Sequence, residues 1–290
     1  MHGRLPTSFV TVALLALLGI TSAQGVVNVY SARHYDSDTT LFDAFTEATG
    51  VEVNLIEAGA DELIQRILSE GANSPADVII TVDAGRLWRA DDAGILAAVE
   101  SEALSTAIPA NLRHPDGHWF GLSQRVRGIV YSTDRVDPAE LSTYEALATD
   151  AWRDRVCIRS STNIYNISLT ASVIASAGVD AAQAWADGIA RNLARSPQGG
   201  DTDQIRAVAA GECDVAIVNH YYLARLIASS EPADQAVVAT VDMFFPNQED
   251  RGTHVNISGA GVVETAPNRE NAIRFIEFLA TPEAQEVFAK

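Results

Sequence analysis

The segment ADVIITVDAGRLWRADDAG, residues 76–94, carries the fold in miniature. Residues 76–81 form a short apolar run rich in β-branched side chains, the composition of a buried strand. Residues 84–93 follow a helical spacing, and Gly94 supplies the stop. Two similar units precede it. Residues 26–30 read as a strand and 39–49 as a helix with its apolar stripe at Leu41, Phe42, Phe45 and Ala48, ended by Gly50. Residues 51–55 alternate as a strand, and 60–70 read as a helix ended by Gly71. This β-α-β-α-β-α order predicts an α/β fold with a mostly parallel sheet covered on both faces.

Farther along, two extended runs, 117–123 and 128–132, flank the polar residues 124–127. The alternation then resumes with a strand at 156–159, helices at 163–177, 180–194 and 202–210, a strand at 214–218 and a helix from Tyr221. Residues 237–245 are extended, 258–263 are a last strand and 268–280 a helix. The expected organisation is two α/β lobes joined near 122–127, with a return crossing near 241–247. Lobe 1 takes residues 24–124 and 244–290, and lobe 2 takes 125–243.

Residues 1–23 have a basic start at Arg4, an apolar run and a small-residue ending, the pattern of a secretory signal cleaved after Ala23. The run is too short for a comfortable membrane span, and no later stretch is long and apolar enough for one. Export to the periplasm is expected, with no membrane insertion once the signal is removed. The net charge of −18 loses only the Arg4 cation with that signal. So acidic a chain repels nucleic acid and anionic membrane. The two cysteines, Cys157 and Cys213, lie at strand edges of lobe 2, where a disulfide and two buried thiols are both open readings. The chain stops at Lys290 just beyond the helical run 282–288, and a further segment is expected to follow it.

The chemistry lies in the tyrosines. In sheets of this kind ligands bind beyond the carboxyl ends of strands. Tyr35, Tyr165 and the doublet Tyr221-Tyr222 all occupy such places, four of the seven tyrosines in the chain, and His34 adjoins the first. A phenolate is rare at neutral pH unless a strong Lewis acid displaces its proton. Softer metals prefer thiolate or imidazole, and magnesium and calcium prefer carboxylate, carbonyl and water. Clustered phenols therefore point to Fe(III). Adjacent residues within a helix diverge by about 100°, but at a strand-to-helix junction the first residue need not have helical dihedrals, and the doublet can then converge on one ion. Four phenolates on Fe(III) leave one negative charge, for which Arg33, Arg125, Arg127 and Arg225 are candidate partners. Tyr30, Tyr131 and Tyr144 read as packing residues, His114 and His118 as solvated loop residues, and His220 as a cap or an outward-facing side chain. No His-Glu-x-x-His, nucleophile elbow or paired-carboxylate motif appears, so binding rather than catalysis is expected.

The runs Val29-Tyr30-Ser31-Ala32-Arg33-His34-Tyr35, Ser74-Pro75-Ala76-Asp77-Val78, Gly211-Glu212-Cys213-Asp214, Asn219-His220-Tyr221-Tyr222 and Ser258-Gly259-Ala260-Gly261 resemble the ferric-ion-binding proteins of bacterial ABC-type iron importers, in particular their tyrosine-rich group. The resemblance covers nearly the whole mature chain. It implies a two-lobed, hinge-bending periplasmic binding fold of type II, acting as a monomer that hands iron to an inner-membrane permease. It also implies that Tyr35, Tyr165, Tyr221 and Tyr222 are ligands and that His34 adjoins the metal. One branch of the family carries a glutamate ligand where this chain has Val82, and completes the site with a bound anion. A synergistic anion is less needed here, although the arginines can hold one. An organic cation such as a polyamine is the alternative ligand suggested by the acidity.

Overall fold

The computed structural model describes residues 25–33 and 36–288. The expected signal, His34 and Tyr35 lie outside the described residues. The strands are β1 (Val26–Ser31), β2 (Glu52–Glu57), β3 (Val78–Val82), β4 (Phe120–Ser132), β5 (Val156–Cys157), β6 (Val215–Asn219), β7 (Val241–Phe244) and β8 (Val255–Val262). The helices are α1 (Asp36–Thr49), α2 (Ala60–Glu70), α3 (Ala84–Asp92), α4 (Glu102–Ala107), α5 (Ile164–Ala177), α6 (Val179–Arg191), α7 (Asp201–Ala210), α8 (His220–Ala228), α9 (Pro232–Val238), α10 (Arg269–Leu279) and α11 (Pro282–Phe288).

Hydrogen-bonded strands follow one path, β2-β1-β3-β8-β4-β6-β5, with β7 also on β4. β1 pairs in parallel with β2 and β3, as the repeated strand-helix unit requires. β4 serves both lobes. Its first half, through Val126, runs antiparallel to β8. From Arg127 onward it pairs with β6, and from Ile129 with β7.

Strand alternation sorts the core into two layers per lobe. In lobe 1, Val27, Val29, Val78 and Ile80 pack with Phe45 and Phe275 on one face. Tyr30 and Ile79 pack with Leu63, Ile64 and Leu96 on the other. In lobe 2, Ile129, Val215 and Ile217 pack with Tyr144, Trp152 and Trp185. The opposite face joins Val130, Ala216 and Val218 to Ile205, Leu223 and the two cysteines.

Three expectations are corrected. Residues 124–127 do not interrupt the sheet but continue β4 through it. They read as a break because they are polar, yet Arg125 is buried against Asp83 of lobe 1 and Arg127 against Asp201 of lobe 2. The extended run at 237–245 is extended only over β7, because Pro232 at the first turn starts α9 just ahead of it. The strand expected at 156–159 ends at Cys157. Gly259 and Gly261 in β8 have a packing reason: a Cβ there would lie 2.4 Å from the Phe120 carbonyl oxygen and 2.6 Å from that of His118.

Cys157 and Cys213 are bonded, linking the end of β5 to the turn before β6 across a sequence separation of 56. Closing a loop of that length restricts the unfolded chain and stabilises the fold by about 4 kcal/mol. Replacing both cysteines by alanine is expected to lower the unfolding free energy by about 3–4 kcal/mol in denaturant titrations; a change below about 1 kcal/mol would contradict this.

Candidate metal centre

Three of the predicted phenols meet in the structure. Tyr165 lies in the first turn of α5, where the Asn163 side chain caps the helix by accepting from the Tyr165 amide at 3.0 Å. Tyr221 and Tyr222 lie in the first turn of α8, directly after β6. The Oη atoms of Tyr165 and Tyr221 are 3.3 Å apart. The rings of Tyr221 and Tyr222 lie side by side with centroids 4.4 Å apart. An ion with bonds of about 2 Å has ligand-ligand edges of about 3 Å, so the Tyr165–Tyr221 spacing suits two ligands of one ion. The doublet does not rely on non-helical dihedrals as expected, because α8 already starts at His220. Both tyrosines therefore sit at a helix N-terminus, where the backbone dipole favours an anionic oxygen.

Electrostatics keep Tyr221 and Tyr222 protonated until a cation arrives. Burial pushes Tyr221 far above the usual phenol range, and neighbouring Tyr165 and Tyr222 push it further. Burial pushes Tyr222 up to about 12, offset in part by a hydrogen bond from Tyr221. Guanidinium groups surround the cluster. Arg159, Arg125 and Arg127 stand 5.1, 5.6 and 5.8 Å from the Tyr165 ring centroid. Arg225 stands 5.5 Å from Tyr221 and 5.9 Å from Tyr222. Arg33, by contrast, is bound to Asp38 and Ser123.

Buried carboxylates hold Arg125, Arg127 and Arg159. Asp201, fully buried at the start of α7, pairs with Arg127 at 3.0 Å and Arg159 at 3.2 Å and accepts from the Asn219 amide. Asp83, fully buried at the N-cap of α3, accepts from Gly85 N, Asn256 Nδ2 and Arg125. Its fourth donor is the Ser168 hydroxyl on α5, 2.6 Å away and in the other lobe. Asp83 holds φ at 92°, a backbone region unusual for a non-glycine residue, as the N-cap of a helix that starts at the cleft. Asp83, Arg159, Ser168 and Asp201 were not singled out in the sequence.

The remaining assignments divide. The Val82 side chain offers no oxygen, in keeping with its difference from the glutamate-bearing branch. His220 accepts a hydrogen bond at Nδ1 from the Val126 amide, 3.1 Å away, which ties α8 to the crossing strand. Tyr30, Tyr131 and Tyr144 are buried packing residues, and their hydroxyls meet Glu70, Asp242 and the Arg127 carbonyl. His114 and His118 are not free in solvent as expected but half-buried and stacked beside Asp91. His254 is half-buried in a small pocket it lines with Arg125, Arg127, Tyr165, Asn219 and Asn256.

The family model described as bacterial extracellular solute-binding protein matches residues 40–290. Iron uptake protein A1 of Synechocystis sp. is 55% identical over 267 residues, covering 92% of this chain and 74% of that protein. Iron uptake protein A2 of the same organism is 57% identical over 272 residues, covering 93% and 77%. A solved Trichodesmium structure (IdiA, FutA), in complex with iron and citrate ligands, superposes with a TM-score of 0.88 at 60% identity, covering 91% of this chain and 84% of that one.

Burial, aided by the nearby guanidinium groups, holds His254 well below the ordinary imidazole range, at about 4. Its neutral form is thus favoured by the fold. That stability is complete above about pH 6.5 and is lost as pH falls toward 4, by up to about 3 kcal/mol. Unfolding free energy measured between pH 7 and 4 is expected to decline accordingly, and His254→Gln to flatten the decline. Superimposable profiles for the two proteins would contradict the assignment.

Proposed function

The chain belongs to the bacterial extracellular solute-binding protein family, and from that premise we propose that it is the ferric-ion-binding component of an ABC-type iron importer. Fe(III) is held between the lobes by the phenolates of Tyr165, Tyr221 and Tyr222. Tyr35 is proposed as a fourth phenolate and His34 as the adjoining imidazole. The observation that carries this reading is the convergence of half-buried phenols inside a ring of arginines.

The donor set selects its cargo by hardness. Phenolate oxygen rewards a small trivalent ion enough to offset the loss of its proton, and a softer divalent ion gains less. Arg125, Arg127, Arg159 and Arg225 balance the negative charge of the ferric-phenolate unit. They can also hold a synergistic anion; the Trichodesmium relative is in complex with iron and citrate ligands. The same four guanidinium groups repel a polyamine, so the organic-cation alternative has no support in the cleft.

The proposed working cycle is binding without catalysis. The protein acts in the periplasm as a monomer. The lobes, divided at 124/125 and 243/244, close on iron about the crossing strands, and the closed form is what the inner-membrane permease engages. The hydrogen bond from Ser168 to Asp83 belongs to that closed form, because it joins α5 in one lobe to α3 in the other.

A visible-absorption titration of the protein with Fe(III) tests the ligand set. A phenolate-to-iron charge-transfer band saturating at one equivalent is expected, with loss of intensity and at least roughly tenfold weaker binding in Tyr165→Phe and Tyr221→Phe. No band at any iron ratio in folded protein would overturn the reading. Stopped-flow chelation tests the closure. Ser168→Ala is expected to release iron about three to ten times faster with an unchanged absorption band, whereas unchanged release would remove Ser168 from the closing contact.

A further inference from the structure

The helix that begins at the cleft ends beside two histidines. Asp91, near the C-terminus of α3, faces a hairpin that carries His114 and His118. His114 Nε2 lies 3.3 Å from Asp91 Oδ2, and His118 Nδ1 is in hydrogen-bond contact with Asp91 Oδ1. The imidazole rings stack with centroids 4.5 Å apart. One ligand atom from each of the three side chains lies within 4.8 Å of the other two. The side chains are only 19–29% exposed.

Backbone geometry fixes this cluster. The His114 amide donates to the Trp119 carbonyl at 2.9 Å, and the Gly117 amide to the His114 carbonyl at 3.1 Å. The Gly117 carbonyl in turn accepts from the Val99 amide at 3.1 Å. Gly117 takes φ of 75°, and a Cβ there would lie 2.2 Å from the Val99 carbonyl oxygen. The two histidines are thus presented on a tight, anchored turn opposite the end of a helix.

We propose that Asp91, His114 and His118 form a second metal site, separate from the phenolate cleft, that takes a borderline divalent ion such as Zn(II). The spacing of two histidines with three residues between them is a recurrent zinc-ligand spacing. Two imidazoles and a carboxylate suit Zn(II) and its neighbours better than a hard trivalent ion. A tetrahedron with bonds of 2.0–2.1 Å has edges of about 3.3 Å, the separation seen between His114 and Asp91. Water completes the shell on the open side. Loading moves the His114 proton from Nε2 to Nδ1. The Asp116 amide that now donates to Nδ1 at 3.1 Å then turns to solvent, which is open to it at the exposed hairpin tip. The stacked rings tilt apart so that their lone pairs converge. Asp91 lies eight residues beyond Asp83, about 12 Å along the helix, so the chain holds two centres that sort ions by hardness.

Zn(II) calorimetry and Co(II) absorption on the full chain test this. One Zn(II) is expected to bind with equal affinity to the unaltered protein and to the cleft variant Tyr221→Phe/Tyr222→Phe. The affinity should fall at least roughly a hundredfold in His118→Ala and in the isosteric Asp91→Asn, with unchanged circular dichroism. Co(II) should give tetrahedral d–d bands that vanish in the same two variants. Binding that follows the cleft variant, or that is indifferent to Asp91→Asn in folded protein, would overturn the proposal. Neither result depends on whether the cleft takes ferric ion.

Discussion

The buried ion pair between Arg127 and Asp201 is the constraint around which the cleft is built. Arg127 sits on the strand shared by the lobes and reaches Asn166 on α5, Asn219 at the end of β6 and the Ile217 carbonyl. Asp201, at the start of α7, also holds Arg159 and the Asn219 amide. The pair thus ties together the strand ends and helix starts that present Tyr165, Tyr221 and Tyr222. Charges buried this deeply are costly unless every partner is present, and removing one side of such a pair costs about 3–5 kcal/mol. The network is therefore rigid under the phenols, which is what a ligand shell needs.

Around that frame, two opposing effects set the chemistry. Burial and mutual proximity keep Tyr221 and Tyr222 neutral. Helix N-termini and four guanidinium groups favour the phenolate once a cation has displaced the protons. The empty cleft thereby avoids clustered negative charge, and the loaded cleft is electrostatically satisfied. A trivalent ion is the natural trigger for such a switch, since its field on an oxygen donor exceeds that of a divalent one.

Much of this was legible in the sequence because it depends on local pattern. Glycine stops and apolar alternation marked the first three strand-helix units. The strand-end rule located Tyr165 and the Tyr221-Tyr222 doublet. What escaped depends on partners remote in sequence. Asp201 and Asp83 look like ordinary helix caps, yet their decisive partners are Arg127, 74 residues away, and Ser168, 85 residues away. The polar stretch at 124–127 looked like a linker because polarity on a crossing strand is explained only by carboxylates remote in sequence, Asp83 for Arg125 and Asp201 for Arg127. The histidines at 114 and 118 looked solvated because nothing local announced Asp91. The cysteine pairing was open for the same reason, since only the parallel register of β5 and β6 brings the two together.

The central claim is that the neutral, half-buried phenols of Tyr221 and Tyr222 surrender their protons to ferric ion. The most direct test is the pH dependence of Fe(III) affinity, measured by competition with a chelator of known protonation. If Tyr221 and Tyr222 bind as phenolates, the logarithm of the affinity rises with pH with a slope of about two or steeper between pH 5 and 7. A slope near zero in folded protein would mean that iron binds without displacing phenol protons, and would contradict the account.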